Sequence, residues 1–132
     1  MAADTDMDVK QRFFPHTQDE LKQIAEDILR HAKAIGGSDA ATEISEGDGL
    51  SVSVRRGEVE TIEHNRDKMV GMTVFIGNRR GNASTSDFSS QALKDTVAAA
   101  YNIARVTAED DCAGLAEKEL LETSPRDLDL YH

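Results

Sequence analysis

Between Arg55 and Asn65 the chain reads RRGEVETIEHN, which sets Glu58, Glu60, Glu63 and His64 close together beside Arg55 and Arg56. Carboxylates and an imidazole are the groups that bind zinc or move protons. The spacing decides against both. Read as a strand, Glu60 and His64 share a face but stand about 13 Å apart, and Glu63 and His64 point to opposite faces. A zinc ion needs three or four ligands at about 2.0–2.3 Å, usually at helix or knuckle spacing. The other histidines, His16, His31 and His132, stand in no H-x-x-x-H, H-E-x-x-H or C-x-x-C pattern. No metal ligands and no catalytic residues are therefore assigned from the residues themselves.

Other stretches fail similar tests. DTDMDVK opens like a calcium loop with Asp4, Asp6 and Asp8, but Val9 stands where glycine is needed and Pro15 where a bidentate glutamate belongs. GNRRGNAS lacks the G-K-[ST] ending of a phosphate loop and reads as a hairpin turn. Cys112 has no basic neighbour in sequence and no evident histidine partner, which argues against a nucleophile. The charged positions Arg55, Arg56, Glu58, Glu60, Glu63, Arg79 and Arg80 read first as solvated turn charges. Their one functional reading is as weak candidates for contact with a peptide or a partner.

Net charge limits the partners further. With 25 acids against 15 bases the chain carries −10, so neither nucleic acid nor an anionic membrane is an expected partner. No run approaches the roughly 18 apolar residues of a membrane span, and the opening MAADTDMDVK does not read as a secretory signal. A lone cysteine excludes an intrachain disulfide and makes the cytoplasm the expected compartment.

The elements that carry these residues can be read in order. Residues 1–16 are expected to be a flexible N-terminus. Thr17 and Glu20 form a T-x-x-E capping box, and Leu21, Ile24, Ala25, Ile28, Leu29, Ala32 and Ile35 make one apolar helical stripe ended by Gly36-Gly37. Ala40–Ser45 is a short strand that Gly47-Asp48-Gly49 closes. Leu50, Val52 and Val54 alternate with polar residues in a second strand. Arg56-Gly57 turns into Glu58–His64, where Val59 and Ile62 fall on opposite faces and signal a β-bulge. NRDK turns again into MVGMTVFIG, and NRRG into NASTSD. Ser89 then caps a second helix, with Phe88 stapled on Leu93 and a stripe of Leu93, Val97, Ala100, Tyr101 and Ala104.

Turns this short require antiparallel neighbours. The expected fold is α+β: a mainly antiparallel, four- to five-stranded meander sheet with two amphipathic helices packed on one face. Leu29, Val52, Val74, Val97 and Tyr101 should be among its most buried residues. The domain should span 17–107, followed by an irregular acidic segment over 108–132 that leads into a further domain.

GLSVSVRRGEVETIEHN, GMTVFIGNRRGNASTSDFSSQAL, DDCAGLAEKELL and DLDLYH together resemble the N-terminal region of the TldD/PmbA family. The likeness is to its PmbA branch, also called TldE or modulator of DNA gyrase. It runs from about residue 17 to the end of the chain. It implies the first, non-catalytic domain of a PmbA-like subunit in a heterodimeric cytoplasmic metalloprotease that processes and degrades peptides. It also implies a TldD-like partner subunit that holds the zinc, no cofactor in this chain, and unfolded or extended peptides as substrates. No catalytic position of the family maps onto these residues. A different class stays open beside it: a stand-alone peptide- or protein-binding module that takes up an extended strand at a sheet edge. The residues show no feature that would bind gyrase.

Overall fold

The computed structural model describes residues 14–128. Helix α1 spans Gln18–Ala34 and begins with the expected capping box: the Thr17 hydroxyl accepts from the Glu20 amide at 3.2 Å, and the Glu20 carboxylate accepts from the Thr17 amide at 2.7 Å. The Thr17 amide foremost, and the Thr17 hydroxyl with it, donate to the Glu20 carboxyl and hold it below its ordinary range. Just past the helix end, Gly36 takes φ 108, a conformation that only glycine adopts cheaply.

Strand β1 (Asp39–Arg55), β2 (Glu58–Ile76) and β3 (Arg79–Thr85) form an antiparallel sheet in the order β1-β2-β3. Helix α2 follows over Ser90–Val106, with the Ser89 side chain accepting from the Ala92 amide. After Thr107 the chain is irregular apart from a short 3-10 turn at Lys118–Leu120. Its start is tied back to the β2–β3 turn, where the Asp110 amide donates to the Asn78 carbonyl at 2.9 Å. No helix among the described residues is long and apolar enough to cross a membrane.

Both helices lie on one face of the sheet. The core there is Ile28 and Ala32 from α1, Val70, Met72 and Val74 from β2, and Val97 and Ala100 from α2. Ala40, Ile44, Phe88 and Leu93 pack around it. Alternation along each strand dictates this set, because residues two apart share a face. The closest approach is between α2 and β3 at Gly81, where the helix backbone leaves no room for a Cβ: one placed there would stand 2.0 Å from the Ala100 carbonyl oxygen.

Three expectations need correction. Among the described residues the sheet has three strands, and the expected four or five are not confirmed. The segments Gly47-Asp48-Gly49 and Asn65–Lys68, expected as turns, instead pair with each other across the ladder, Gly47 with Asp67 and Gly49 with Asn65. Turn-forming residue types become strand where a cross-strand partner satisfies them. Val52 is exposed rather than buried, because it lies beyond the reach of either helix. Leu29 and Tyr101 are half-buried at the margins of their stripes, the Tyr101 hydroxyl lying out beside Gly36. Val74 and Val97 are fully buried as expected. The signal at Val59 and Ile62 was sound: the register shifts between Ser53 and Val54, leaving Glu60 as the extra residue of a bulge.

Candidate functional site

The consequence of the long β1–β2 ladder is an arm. β3 pairs with β2 only from Val70 to Ile76, so beyond Met69 the sheet narrows to a two-stranded ribbon that ends at Arg56-Gly57. Both residues of that turn have positive φ, 53 for Arg56 and 85 for Gly57, as a tight two-residue hairpin requires.

Along one face of β1 the chemistry changes in bands. Ala40 and Ile44 pack against the core. Glu46 and Asp48 come next on the same face, then Leu50, Val52 and Val54. Their partners on β2 run in step: Val70, Lys68, Arg66, His64, Ile62 and Val59. The middle band is a polar belt. The Glu46 side chain is only 4% exposed and is paired with the His16 imidazole, whose ring also lies against Phe88. The Lys68 ammonium stands 4.9 Å from the Phe88 ring centroid. Asp48 accepts from Arg66 Nε at 2.7 Å and meets His64 Nε2 at 2.9 Å. The Arg66 hydrogen bond, assisted by His64, holds the Asp48 carboxyl below its ordinary range.

Beyond the belt lies an apolar band that none of the described residues covers. Leu50 (68% exposed), Val52, Val54, Val59 and Ile62 (65%) form it. The opposite face of the ribbon on β1 is Ser51, Ser53 and Arg55, so the arm is amphipathic.

The charged residues singled out in the sequence do not gather into one site. Arg55 pairs with Glu60 at 3.3 Å, and with Arg56 and Glu58 these residues make the tip of the arm. Glu63 lies midway, opposite Ser51. Arg79 and Arg80 sit at the far end of the sheet, where Arg79 bridges to Glu109 at 3.2 Å and donates to the Arg105 carbonyl. His64 turns to Asp48 rather than to any glutamate. Cys112 is exposed, with its amide donating to Asp110. Among the described residues no three His, Cys, Asp or Glu side chains gather as a zinc ion would need, so these residues do not fit a zinc centre. The acidic loop at Asp4, Asp6 and Asp8, and the end at His132, lie outside the described residues. Sequence reasoning missed Asp48, because its partners His64 and Arg66 are set by register and not by spacing. It also missed the apolar band as an exposed surface.

Residues 42–104, which include the whole arm, match the family described as PmbA/TldA metallopeptidase domain 1. The chain is 52% identical over 100 residues to Metalloprotease PmbA of Escherichia coli O157:H7, covering 75% of this chain and 22% of that protein. It is 43% identical to the Metalloprotease PmbA homolog of Haemophilus influenzae, over 87% of this chain and 25% of the relative. The chain thus spans about a quarter of the length of these relatives. Among solved structures, TldE from Thermococcus kodakarensis superposes with a TM-score of 0.66 at 14% identity, over 78% of this chain and 23% of that one. A protein of Bacteroides thetaiotaomicron described as a modulator of DNA gyrase gives 0.74 at 16% identity, over 84% and 25%. At such identities the structures speak for the fold, and the α+β arrangement is theirs too. Sequence and fold agree, and the chain belongs to the PmbA/TldD family, carrying its first domain.

Proposed function

We propose that this chain is the N-terminal, non-catalytic domain of a PmbA-like subunit in a TldD/PmbA-type metalloprotease complex of the cytoplasm. Its role there is to position: it supplies a rigid helix-backed sheet and a projecting arm against which a TldD-like partner or a peptide substrate is held. Zinc and the hydrolytic step belong to the partner subunit. The observation that carries this reading is the 52% identity to a protein named Metalloprotease PmbA, with the match to domain 1 running through the arm. The local chemistry supports it. Within the arm Arg55 pairs with Glu60, and Asp48 with His64 and Arg66, and neither pairing is arranged around a reacting atom.

The test is proteolysis of an unstructured peptide by the purified chain, with and without added zinc, beside a reconstituted TldD/PmbA pair. The chain alone should release no product, and the pair should cleave. Steady cleavage by the chain alone, abolished by a substitution within it, would overturn the reading.

A further inference from the structure

The two edges of the arm are defended unequally. An exposed strand edge is a template for another chain, and proteins blunt such edges with charges, prolines or bulges. The β2 edge has these devices: Glu58, Glu60, Glu63 and Asp67 lie along it, and the bulge at Glu60 breaks its regularity. Among the described residues β1 pairs only with β2, and from Leu50 to Val54 its outer edge has none of them. Its sequence there, LSVSV, holds no charge and no proline, the extra residue of the bulge opposite Ser53 and Val54 lies on β2, and every residue of LSVSV is exposed.

That edge is flush with the apolar band. A strand added alongside β1 would set alternate side chains beside Leu50, Val52 and Val54, and the intervening ones beside Ser51 and Ser53. We propose that the outer edge of β1 from Leu50 to Val54 is a strand-acceptor site for an extended polypeptide segment with aliphatic side chains at alternate positions. Backbone hydrogen bonds would hold any such segment, and the apolar band would select its side chains. The occupant is a foreign segment rather than a second copy, because each copy carries a net charge of −10 and repels its like, whereas an uncharged or basic peptide meets no such opposition. The proposal deepens the positioning role above, and rests on it only for taking a polypeptide as the ligand.

The probe is a fluorescein-labelled peptide of alternating valine and threonine flanked by lysines, titrated with the whole chain and followed by anisotropy. Two comparators go with it: the same peptide N-methylated along one edge, and a block permutation that destroys the alternation. Val52→Lys should weaken binding about tenfold or more by placing a charge on the edge, while Ile62→Lys, on the same face but the other strand, should weaken it about threefold at most. Circular dichroism checks that both variants keep the fold. Saturable binding that N-methylation and Val52→Lys abolish supports the site. Equal binding of the N-methylated peptide, or equal damage from Ile62→Lys, would mean docking on the apolar face and overturn it. So would no binding up to the peptide's solubility limit. Sedimentation velocity supplies the remaining outcome: a Val52-dependent dimer that the peptide does not displace assigns the edge to a second copy and refutes the proposal. Because the readout is binding, a failure here with pair-dependent cleavage intact leaves the positioning role standing.

Discussion

Replacing Gly81 with alanine tests whether the helix-on-sheet geometry is as tight as described. The added methyl carbon would sit 2.0 Å from the Ala100 carbonyl oxygen and 2.5 Å from the Ala104 amide nitrogen. Favourable carbon contacts lie at about 3.5–4.0 Å, so α2 and β3 must separate by roughly 1 Å or more. Neither obstructing atom can rotate away, because both belong to helix backbone, and Ala100 and Ala104 are themselves fully buried. Overpacking ordinarily costs about 1–3 kcal/mol, and immovable neighbours put this site at ~3 kcal/mol or beyond. Domains of this size have a total stability of about 5–15 kcal/mol, so the loss is a large fraction of it. At about 4–8 °C per kcal/mol the melting temperature should fall by more than about 10 °C.

Urea and thermal unfolding followed by circular dichroism would measure this, with Gly71→Ala as the control. There the nearest atom to a new Cβ is the Glu43 carbonyl oxygen at 4.0 Å, an ordinary contact. Gly71→Ala should be neutral, or stabilising by about 0.4–1 kcal/mol through the unfolded chain. If Gly81→Ala unfolds within about 0.5 kcal/mol of wild type, the close approach of α2 to β3 is wrong, and with it the layer that supports the arm.

Burial makes a sharper forecast than hydrophobicity for the remaining core positions: Ile28→Ala or Val74→Ala should cost about 2–4 kcal/mol in urea unfolding, while Val52→Ala should stay within ~0.5 kcal/mol. The Asp48 carboxyl, held low by Arg66, stabilises only while ionised; its contribution is complete above the ordinary carboxylate range near about 4 and is lost as pH falls through the lowered native value. Asp48→Asn should therefore differ from wild type in urea midpoint at neutral pH, and the difference should shrink in acid; an equal difference at both would remove the pairing as its cause. Replacing Glu58, Glu60 and Glu63 together with glutamine should leave the melting temperature nearly unchanged, since exposed charges contribute little. Any loss should appear instead as a weaker, salt-sensitive complex with a TldD-like subunit in a pull-down.

Local signals in the sequence were legible wherever the physics is local. Thr17 and Glu20 announce the start of α1, Gly36 its end, and Ser89 the start of α2, because each satisfies backbone groups only a few residues away. Val59 and Ile62 betrayed the bulge through their broken alternation. Strand continuity was not legible. Gly47, Asp48 and Gly49 have turn composition, and nothing near them in sequence says that Asn65, Arg66 and Asp67 will stand opposite. Only that pairing, with Asp48 bonded to Arg66 and His64, turns two apparent turns into one ladder and two short hairpins into an arm. Val52 failed for the same reason. Alternation says that a strand has an apolar face, and it does not say how far the covering helices extend.

The belt explains why the apolar band is a separate surface and not a loose end of the core. Glu46 with His16, and Lys68 over Phe88, close the core where the helices stop, so Val70 is sealed without help from the arm. Had the band served the domain's own stability, an unbroken apolar run from Ile44 to Val54 would have sufficed. Instead Glu46, paired with His16, and Asp48, bonded to Arg66 and His64, interrupt it with polar groups. A two-stranded ribbon standing alone is only marginally stable in water, and a third strand or an apolar layer is what makes such a ribbon firm. The β1 edge is the side on which this arm can accept one, because β2 is barred by its glutamates and its bulge. The arm's order and its occupancy are thus one property: whatever pairs with Leu50–Val54 also stiffens the ribbon, and hydrogen exchange at the amides of β1 and β2 beyond Met69 should slow when the edge is filled while the helix-backed part of the sheet stays unchanged.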